Sequence, residues 1–310
     1  MSVRNVLMRW FILRPTQIVY RIFHPGALLL RFFIDTASLP GRIPPFGVKR
    51  ERCDFGGIPG TKFTPKKNHN EKRIMVYLHG GGYSFGSSRT THRALIANLA
   101  KKMSVVSFGV DYRLTPEYPY PAAFDDAGIA WDAIVSANPD KEIVLAGDSA
   151  GGGLSLALMM ELKRSSRQLP AMCVLLSPWT DLTLSGESIE THKKRDPYLT
   201  QRILQMYSSL YCVDIDTNDW RVSPLFGDYS GLPPTLVMVG DRELLLDDSL
   251  RIKEFSSNSG MELEVDVWAE MVHVWMGFIP FIPEGKKAIS RIAQWVELHS
   301  NVDSHDSVNV

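Results

Sequence analysis

One short motif constrains the fold of this chain more than any other feature. Residues 147–151 read Gly-Asp-Ser-Ala-Gly, between an apolar, strand-like run at 142–146 and a helix-like run at 152–162. The small residues around Ser149 let the backbone pass from strand to helix in a tight turn, which lifts the serine hydroxyl above a sheet. The motif therefore predicts a nucleophilic serine at the carboxyl end of a buried strand.

The same order of strand and helix recurs along the chain. Strands are expected at 74–78, 105–110, 143–146, 171–176, 235–239 and 263–268, and helices at 91–102, 122–137, 246–257 and 286–298. Residues 66–73 are expected to form a polar connection before the first of these strands. Near-continuous apolar strands between amphipathic helices are typical of a mostly parallel sheet with both faces covered. We therefore expect an α/β fold.

Composition limits the classes of function. The 310 residues carry a formal net charge of zero, and 45% are hydrophobic, which suffices for one large core or a core with a small cap. A neutral chain without a basic stripe is not expected to bind nucleic acid. The three cysteines, Cys53, Cys173 and Cys212, are odd in number and widely spaced, so neither a disulfide framework nor a metal site is expected. We expect reduced thiols in a cytoplasmic protein that uses no cofactor.

The first 34 residues differ from the rest because they carry five arginines and no acidic residue. Their apolar residues recur at helical spacing, with breaks at Pro15 and Pro25. No uninterrupted apolar stretch of 18 residues occurs, so a membrane-spanning helix is not expected, and a secretory signal fits poorly. Three interpretations stay open: a helical lid over an active site, an anchor in a membrane surface, and a cleaved organelle presequence.

A second motif follows an earlier strand. His79 and the three glycines at 80–82 come directly after the run 74–78. Such a loop leaves backbone N–H groups bare and close to a substrate, where they can donate to an oxyanion. We expect the N–H groups of Gly81, Gly82 and Ala150 to form an oxyanion hole, and His79 to support the loop by hydrogen bonds.

A serine nucleophile also needs a base within hydrogen-bond reach. Of the eight histidines, those in the expected lid, tail and polar segments are weaker candidates, namely His24, His69, His92, His192, His299 and His305. His273 follows the strand at 263–268 in a loop at the carboxyl edge of the sheet, which is where a base belongs. We therefore expect His273 to be the base.

The base in turn needs an acid that orients it, and the strand at 235–239 ends beside several candidates. Asp241 and Glu243 are both close enough to the strand end, and the residues alone leave the choice between them open. Asp247 and Asp248 are expected to cap the next helix instead. The order of serine, acid and histidine along the chain is that of the α/β-hydrolases.

Together these pieces resemble the hormone-sensitive-lipase-like family of α/β-hydrolase esterases. The matching segments, in the order the family has them, are 79–82, 111–117, 147–152, 177–181, 223–225 and 273–275. The resemblance spans about residues 70–280 and implies an α/β-hydrolase fold with a mostly parallel sheet, helices on both faces and a helical cap. It further implies a serine carboxylesterase that cleaves small or medium-chain esters through an acyl-enzyme.

The resemblance also implies a choice of acid. Many members carry an Asp-Pro-Leu-x-Asp run whose first Asp is the acid of the triad, and that run aligns with 243–247. The acid then falls on Glu243, which lies 30 positions before His273. This chain departs from the family by having Glu instead of Asp and Leu244 instead of Pro, which keeps Asp241 as the alternative.

The family pattern favours the lid interpretation of the N-terminus and suggests a division of the chain. Residues 1–45 would form cap helices, 46–182 with 222–300 the catalytic domain, 183–221 a cap insertion and 301–310 a flexible tail. The segment 111–117 is expected to brace the glycine loop. Tyr83, Trp179 and Trp275 are expected to line the substrate pocket.

Other functions stay open at this point. A lactonase or an amidase could use the same triad, and a lipase could bind a membrane surface through residues 1–34. A ligand receptor without turnover is disfavoured, because Ser149 and His273 are both present. The expected partner is a small-molecule ester, and the monomer and the homodimer both stay open.

Overall fold

The computed structural model describes residues 2–23, 26–37, 46–67, 69–279 and 281–300. Residues 38–45 of the expected cap segment and the tail expected at 301–310 lie outside the described residues. Within them, eight strands form one sheet in the order β1-β2-β4-β3-β5-β6-β7-β8. The strands are β1 Val48–Phe55, β2 Ile58–Pro65, β3 Asn70–Leu78, β4 Val105–Val110, β5 Glu142–Asp148, β6 Met172–Leu176, β7 Thr235–Gly240 and β8 Leu263–Trp268.

The sheet is parallel from β4 to β8, and an antiparallel hairpin of β1 and β2 extends it at one edge. The central strands read as continuous apolar runs because both faces are buried, as in β6, where all five residues are buried. The predicted α/β-hydrolase fold is therefore confirmed.

One early boundary was predicted wrongly. Residues 70–73 belong to β3 rather than to a polar connection. Arg73 pairs in register with Glu142 of β5, and its Nε lies 2.5 Å from a carboxylate oxygen of that residue. A buried ion pair therefore allows a polar sequence to continue the strand.

Helices lie on both faces of the sheet and over the edge where its parallel strands end. They are α1 Val3–Met8, α2 Arg14–Phe23, α3 Ala27–Ala37, α4 Arg93–Met103, α5 Ala122–Ala137, α6 Ala150–Arg164, α7 Ser188–Thr191, α8 Gln201–Tyr211, α9 Leu246–Ser256 and α10 Pro283–Leu298. A π-helical turn, Arg9–Leu13, joins α1 to α2. One core contains Trp131 of α5 and Ile252 of α9, and the other contains Ile96 of α4 and Trp295 of α10. In the described ranges, no helix is both long and apolar enough to cross a membrane.

The topology brings four loops to one edge of the sheet. Because β3, β5, β7 and β8 run parallel, the segments after their carboxyl ends meet there, as expected for open α/β sheets. The insertion between β6 and β7, which contains α7 and α8, lies at the same edge. The candidate site is therefore assembled from residues that are far apart in the chain.

Candidate active site

Ser149 occupies a strained turn between β5 and α6. Its backbone has φ 51° and ψ −123°, a left-handed conformation that non-glycine residues rarely adopt. The flanking residues must be glycines because there is no room for a side chain. A Cβ on Gly147 would lie 2.3 Å from the carbonyl oxygen of Gly151, and a Cβ on Gly151 would lie 2.2 Å from the carbonyl oxygen of Leu78. The serine hydroxyl is thereby held above the sheet edge.

The Ser149 hydroxyl meets the imidazole of His273. Oγ of the serine lies 2.9 Å from Nε2, and Nδ1 on the other side of the ring lies 2.9 Å from a carboxylate oxygen of Glu243. All three side chains are buried, with exposed fractions of 9% for Ser149, 4% for His273 and 0% for Glu243. The structure thus joins a hydroxyl, an imidazole and a carboxylate in one hydrogen-bonded row.

The electrostatics around His273 favour the imidazolium, in which both ring nitrogens carry a proton. Burial lowers the pKa of His273, but the hydrogen bond and charge of Glu243 oppose it, helped by the charges of Asp196 and Asp148. The carboxylates prevail, so the pKa of His273 is raised above its ordinary value. An imidazolium formed at this position is therefore stabilised.

Glu243, and not Asp241, is the carboxylate that reaches the imidazole. One oxygen of Glu243 accepts from His273, and the other accepts from Oγ of Ser177 at 2.7 Å and from N–H of Gly240 at 2.6 Å. Asp241 instead accepts from the backbone N–H of Glu270 at 2.6 Å. Just after the end of β7, the chain therefore turns the glutamate inward and leaves the aspartate at the rim.

The glycine loop presents backbone amides beside Ser149. Gly81 and Gly82 have φ values of +120° and +57°, and both line the same cavity as Ser149. Their carbonyl and ring neighbours leave no space for a side chain, since a Cβ on Gly82 would lie 2.4 Å from the ring of Tyr207. Ala150 is the first residue of α6, where an N–H has no intrahelical partner. Gly81 and Gly82 therefore border the cavity beside Ser149, and Ala150 follows Ser149 at the start of α6.

Buried groups brace this loop from below. Nδ1 of His79 lies 2.8 Å from the carbonyl oxygen of Gly80, and the His79 ring stacks on Tyr112 at 4.3 Å between centroids. Burial lowers the pKa of His79 to about 4, so the ring is neutral near pH 7. Asp148 accepts from the N–H of Gly80 at 3.0 Å and from the hydroxyl of Tyr77 at 2.7 Å. The loop is therefore fixed before any substrate arrives.

A cavity of about 180 Å³ opens beside Ser149 and His273. Its lining includes the two loop glycines and apolar side chains from three other regions, namely Ile34 of α3, Leu199, Leu204 and Tyr207 of the insertion, and Phe278. In the part of the chain that the structure describes, no group of His, Cys, Asp and Glu side chains is arranged to hold a metal ion. The site thus combines a hydroxyl that is hydrogen-bonded to an imidazole with a glycine loop and an apolar wall.

This geometry agrees with the comparison with known proteins. A family described as having the alpha/beta hydrolase fold matches residues 75–277. An esterase of Acinetobacter venetianus is 38% identical over 78% of this chain and 79% of its own length. A crystal structure of an esterase from the bacterial hormone-sensitive lipase family has a TM-score of 0.89 and 33% identity, over 96% of this chain and 99% of that one. The chain belongs to the hormone-sensitive-lipase-like family of α/β-hydrolase esterases.

This esterase is also similar to an acetyl-hydrolase of Streptomyces hygroscopicus, at 38% identity over 70% of this chain and 73% of the relative. The family match at 75–277 covers both the glycine loop and the serine turn. The chain is a carboxylic ester hydrolase by its family, and its expected class of reaction is confirmed.

Three aromatic residues of the esterase do not line the cavity beside Ser149, which corrects the expectation from sequence. Tyr83 stacks on Tyr211 at 3.7 Å between centroids, and Trp275 packs on Trp268 at 5.4 Å. Trp179 donates from its indole N–H to the carbonyl oxygen of Asp181 at 3.1 Å. All three are at most 2% exposed, because aromatic side chains of this size serve as core around the site.

Two supporting residues of the esterase were missed by reasoning from sequence. Ser177 follows β6 and donates to Glu243, while its oxygen accepts from the N–H of Val274 at 3.1 Å. Asp196 of the insertion accepts from the N–H of Leu244 at 2.9 Å and is buried. Ser177 stood in a family segment, but nothing in its spacing indicated a contact with the acid, which depends on the order of the strands.

Proposed function

We propose that this esterase hydrolyses small to medium-chain carboxylic esters through a triad of Ser149, His273 and Glu243 and a covalent acyl-enzyme. The observation that carries the proposal is the buried row of hydrogen bonds, in which both ring nitrogens of His273 are engaged at 2.9 Å. A serine, a base and an orienting acid in this arrangement form the geometry of nucleophilic acyl transfer.

In the first half of the reaction, Oγ of Ser149 attacks the ester carbonyl carbon while Nε2 of His273 takes the hydroxyl proton. The carbonyl oxygen becomes an oxyanion, which accepts hydrogen bonds from the N–H groups of Gly81, Gly82 and Ala150. When the tetrahedral intermediate collapses, the carbon–oxygen bond to the alcohol breaks and His273 delivers the proton to the leaving oxygen. Glu243 keeps the imidazolium stable between the two proton transfers.

In the second half, a water molecule replaces the alcohol. His273 takes a proton from the water as its oxygen attacks the acyl carbon, and the oxyanion forms again at the same amides. Collapse of this intermediate breaks the bond to Ser149, whose oxygen receives the proton from His273. The acid product leaves and the free hydroxyl is restored.

The size of the cavity supports a short acyl group. Its volume of about 180 Å³ is below the roughly 300–1,000 Å³ typical of pockets for drug-sized ligands. The similarity to an acetyl-hydrolase, over 70% of this chain, points in the same direction. Apolar side chains such as Ile34 and Leu204 on the wall would favour an alkyl chain over a charged one.

We further propose that residues 1–45 and 183–221 act as the cover of the site over a catalytic domain at 46–182 and 222–300. Side chains from both segments line the cavity, among them Ile34, Tyr198 and Tyr207. Arg31 of α3 ties the first segment to the catalytic domain by donating to the Ser84 carbonyl oxygen at 2.6 Å, and Gln17 of α2 ties the two segments to each other by donating to the Leu199 carbonyl oxygen at 2.8 Å. Such a cover would exclude water from the acyl-enzyme.

A series of p-nitrophenyl esters of increasing acyl length tests this function. We expect kcat/KM to be greatest for acetyl to butyryl esters and to fall for longer chains. Ser149→Ala should abolish turnover, whereas Ser155→Ala should retain it, because Oγ of Ser155 donates its hydrogen bond to the Gly151 carbonyl oxygen within α6. Turnover by Ser149→Ala at the wild-type rate would overturn the proposal.

A further inference from the structure

The N-terminal helices carry an exposed apolar face on their outer side. On the side that faces the protein, buried Asn5 and Arg9 donate to the backbone and side chain of Glu270, and buried Gln17 donates to the Asp196 carbonyl oxygen. On the outer side, apolar residues recur at helical spacing and are 49–74% exposed: Val3, Leu7, Trp10, Phe11, Ile12, Ile18 and Ile22. Met8 and Leu13 do pack inward on the core, but a surface helix normally keeps most of its apolar residues on that inner side.

Helix α3 continues this apolar surface. Ala27 and Leu30 face the protein, whereas Leu28, Leu29, Phe32 and Phe33 are 49–65% exposed. An apolar groove of about 510 Å³ lies at the start of the surface, lined by Leu7, Met8, Phe11, Ile12, Phe278 and Phe281, with Arg4 at its side. Single exposed apolar residues are ordinary, but a surface of this extent marks an interaction site.

The charges on this apolar surface favour an anionic lipid membrane over a second copy of the chain as its binding partner. The exposed Arg4 and the half-exposed Arg14 lie among the apolar side chains, and residues 1–34 contain no acidic residue. Asp35, near the end of α3, is half-buried and accepts from the hydroxyl of Thr90 at 3.5 Å. The guanidinium of Arg14 stacks over the ring of Trp10 at 4.3 Å, which keeps a cation beside an aromatic anchor. In a symmetric dimer these surfaces would bring like charges together. Anionic headgroups would instead meet the arginines while the acyl region receives the apolar side chains.

We propose that the outer face of α1, α2 and α3, with the groove beside Phe281, docks the esterase onto an anionic lipid bilayer. Trp10, Phe11, Phe32 and Phe33 enter the boundary between headgroups and acyl chains, and Arg4 and Arg14 contact lipid phosphates. The helices lie in the membrane surface and do not cross it.

This docking would turn the mouth of the cavity toward the lipid. Phe278 lines both the groove and the cavity of Ser149, and Ile34 belongs to the same helix as the exposed Phe32 and Phe33. Esters dissolved in the bilayer would then be the substrate class that the docked enzyme receives. This second statement rests on the proposed function, whereas docking itself does not.

Flotation of the full chain with vesicles tests the docking directly. We expect binding to phosphatidylcholine vesicles that contain phosphatidylglycerol, weaker binding to phosphatidylcholine alone, and loss of affinity as salt rises. The variant W10S/F32S/F33S should bind at least about tenfold more weakly, and Arg4→Gln about fivefold. The control L250S/L298S, which removes exposed leucines from α9 and α10, should bind like the wild type.

Two results would overturn the docking: no flotation of the wild type, or equal flotation of W10S/F32S/F33S. A dimer in sedimentation that the triple variant converts to monomer, without vesicle binding, would assign the face to a second copy instead.

Kinetic measurements distinguish the proposal of a lipid-borne substrate from the proposed esterase function. We expect the triple variant to hydrolyse p-nitrophenyl acetate in water like the wild type, because Trp10, Phe32 and Phe33 are 55–65% exposed on the outer side of the cover and do not line the cavity. Its rate on a long-alcohol acetate ester dispersed in the anionic vesicles should fall with its vesicle affinity. Equal rates on the vesicle ester would overturn the lipid-borne substrate, and absence of all hydrolysis would overturn the proposed function while flotation still reports on docking.

Discussion

A carboxylate oxygen of Glu243 lies 2.9 Å from Nδ1 of His273, and the glutamate side chain is fully buried. The other oxygen is held by Ser177 and by the N–H of Gly240, so the carboxylate has a fixed orientation. In the proposed triad, this glutamate takes the place of the aspartate that the family pattern predicts at this position. The orientation of the imidazole toward Ser149 depends on this pairing.

Removal of the charge from Glu243 should be costly. Glu243→Gln keeps the size of the side chain but no longer stabilises the imidazolium, so we expect kcat to fall by about 10³–10⁴-fold. Asp241→Asn is the matched control, since Asp241 contacts the Glu270 N–H rather than His273. Steady-state kinetics on p-nitrophenyl acetate measure both variants. A larger loss in Asp241→Asn than in Glu243→Gln would contradict the assignment.

Ser177 should act as a positioning residue for the acid. Ser177→Ala removes one donor to Glu243 and leaves the N–H of Val274 without its acceptor, so we expect kcat to fall about 10- to 100-fold with little change in KM. Ser208→Ala, a buried serine whose Oγ contacts the Leu182 carbonyl oxygen, should keep wild-type kinetics. An unchanged kcat in Ser177→Ala would show that the acid does not need this support.

The acid limb of the pH profile should report His273. The base must be neutral to accept the serine proton, and its pKa is raised above the ordinary 6.5, so kcat/KM should decline as pH falls through a value higher than 6.5. Glu243→Gln removes the negative charge that favours the imidazolium, and the limb should therefore move to lower pH. A limb that stays in place in this variant would mean that another group controls it.

The tight turn at Ser149 should tolerate no side chain at Gly151. A Cβ there would lie 2.2 Å from the Leu78 carbonyl oxygen, so Gly151→Ala should lower the free energy of unfolding by about 1–3 kcal/mol and abolish activity. Gly26→Ala is the control, because no atom lies within 4 Å of the position that its methyl group would take. Urea denaturation compares the two, and equal stabilities would contradict the steric argument.

Much of the fold could be read from the sequence because its signals are local. The strands at 105–110 and 263–268 and the helix at 122–137 have the predicted bounds, since buried strands and amphipathic helices leave clear apolar patterns. The prediction of a polar connection at 70–73 was wrong because Arg73 forms an ion pair with Glu142 of the neighbouring strand. A partner 69 positions away in the chain cannot be recognised from the residues around Arg73.

In the candidate site, too, some features could be predicted from local sequence and others could not. The turn at Ser149 and the glycine loop could be predicted because each is a contiguous motif. His273 could be selected by its place in the order of the chain. The contact of Ser177 with Glu243, the burial of Trp275 in the core and the contact of Asp196 with Leu244 all depend on how distant segments pack, which neither spacing nor composition specifies.

The most direct test of the proposed mechanism is to map the residue that a fluorophosphonate modifies. The reagent should react only with a hydroxyl that a neighbouring base activates, so peptide mass spectrometry should find one phosphonyl group on Ser149, with turnover lost in proportion. Labelling should require His273 and vanish in Ser149→Ala. A phosphonyl group on any other residue, with Ser149 unmodified and activity lost, would contradict the mechanism.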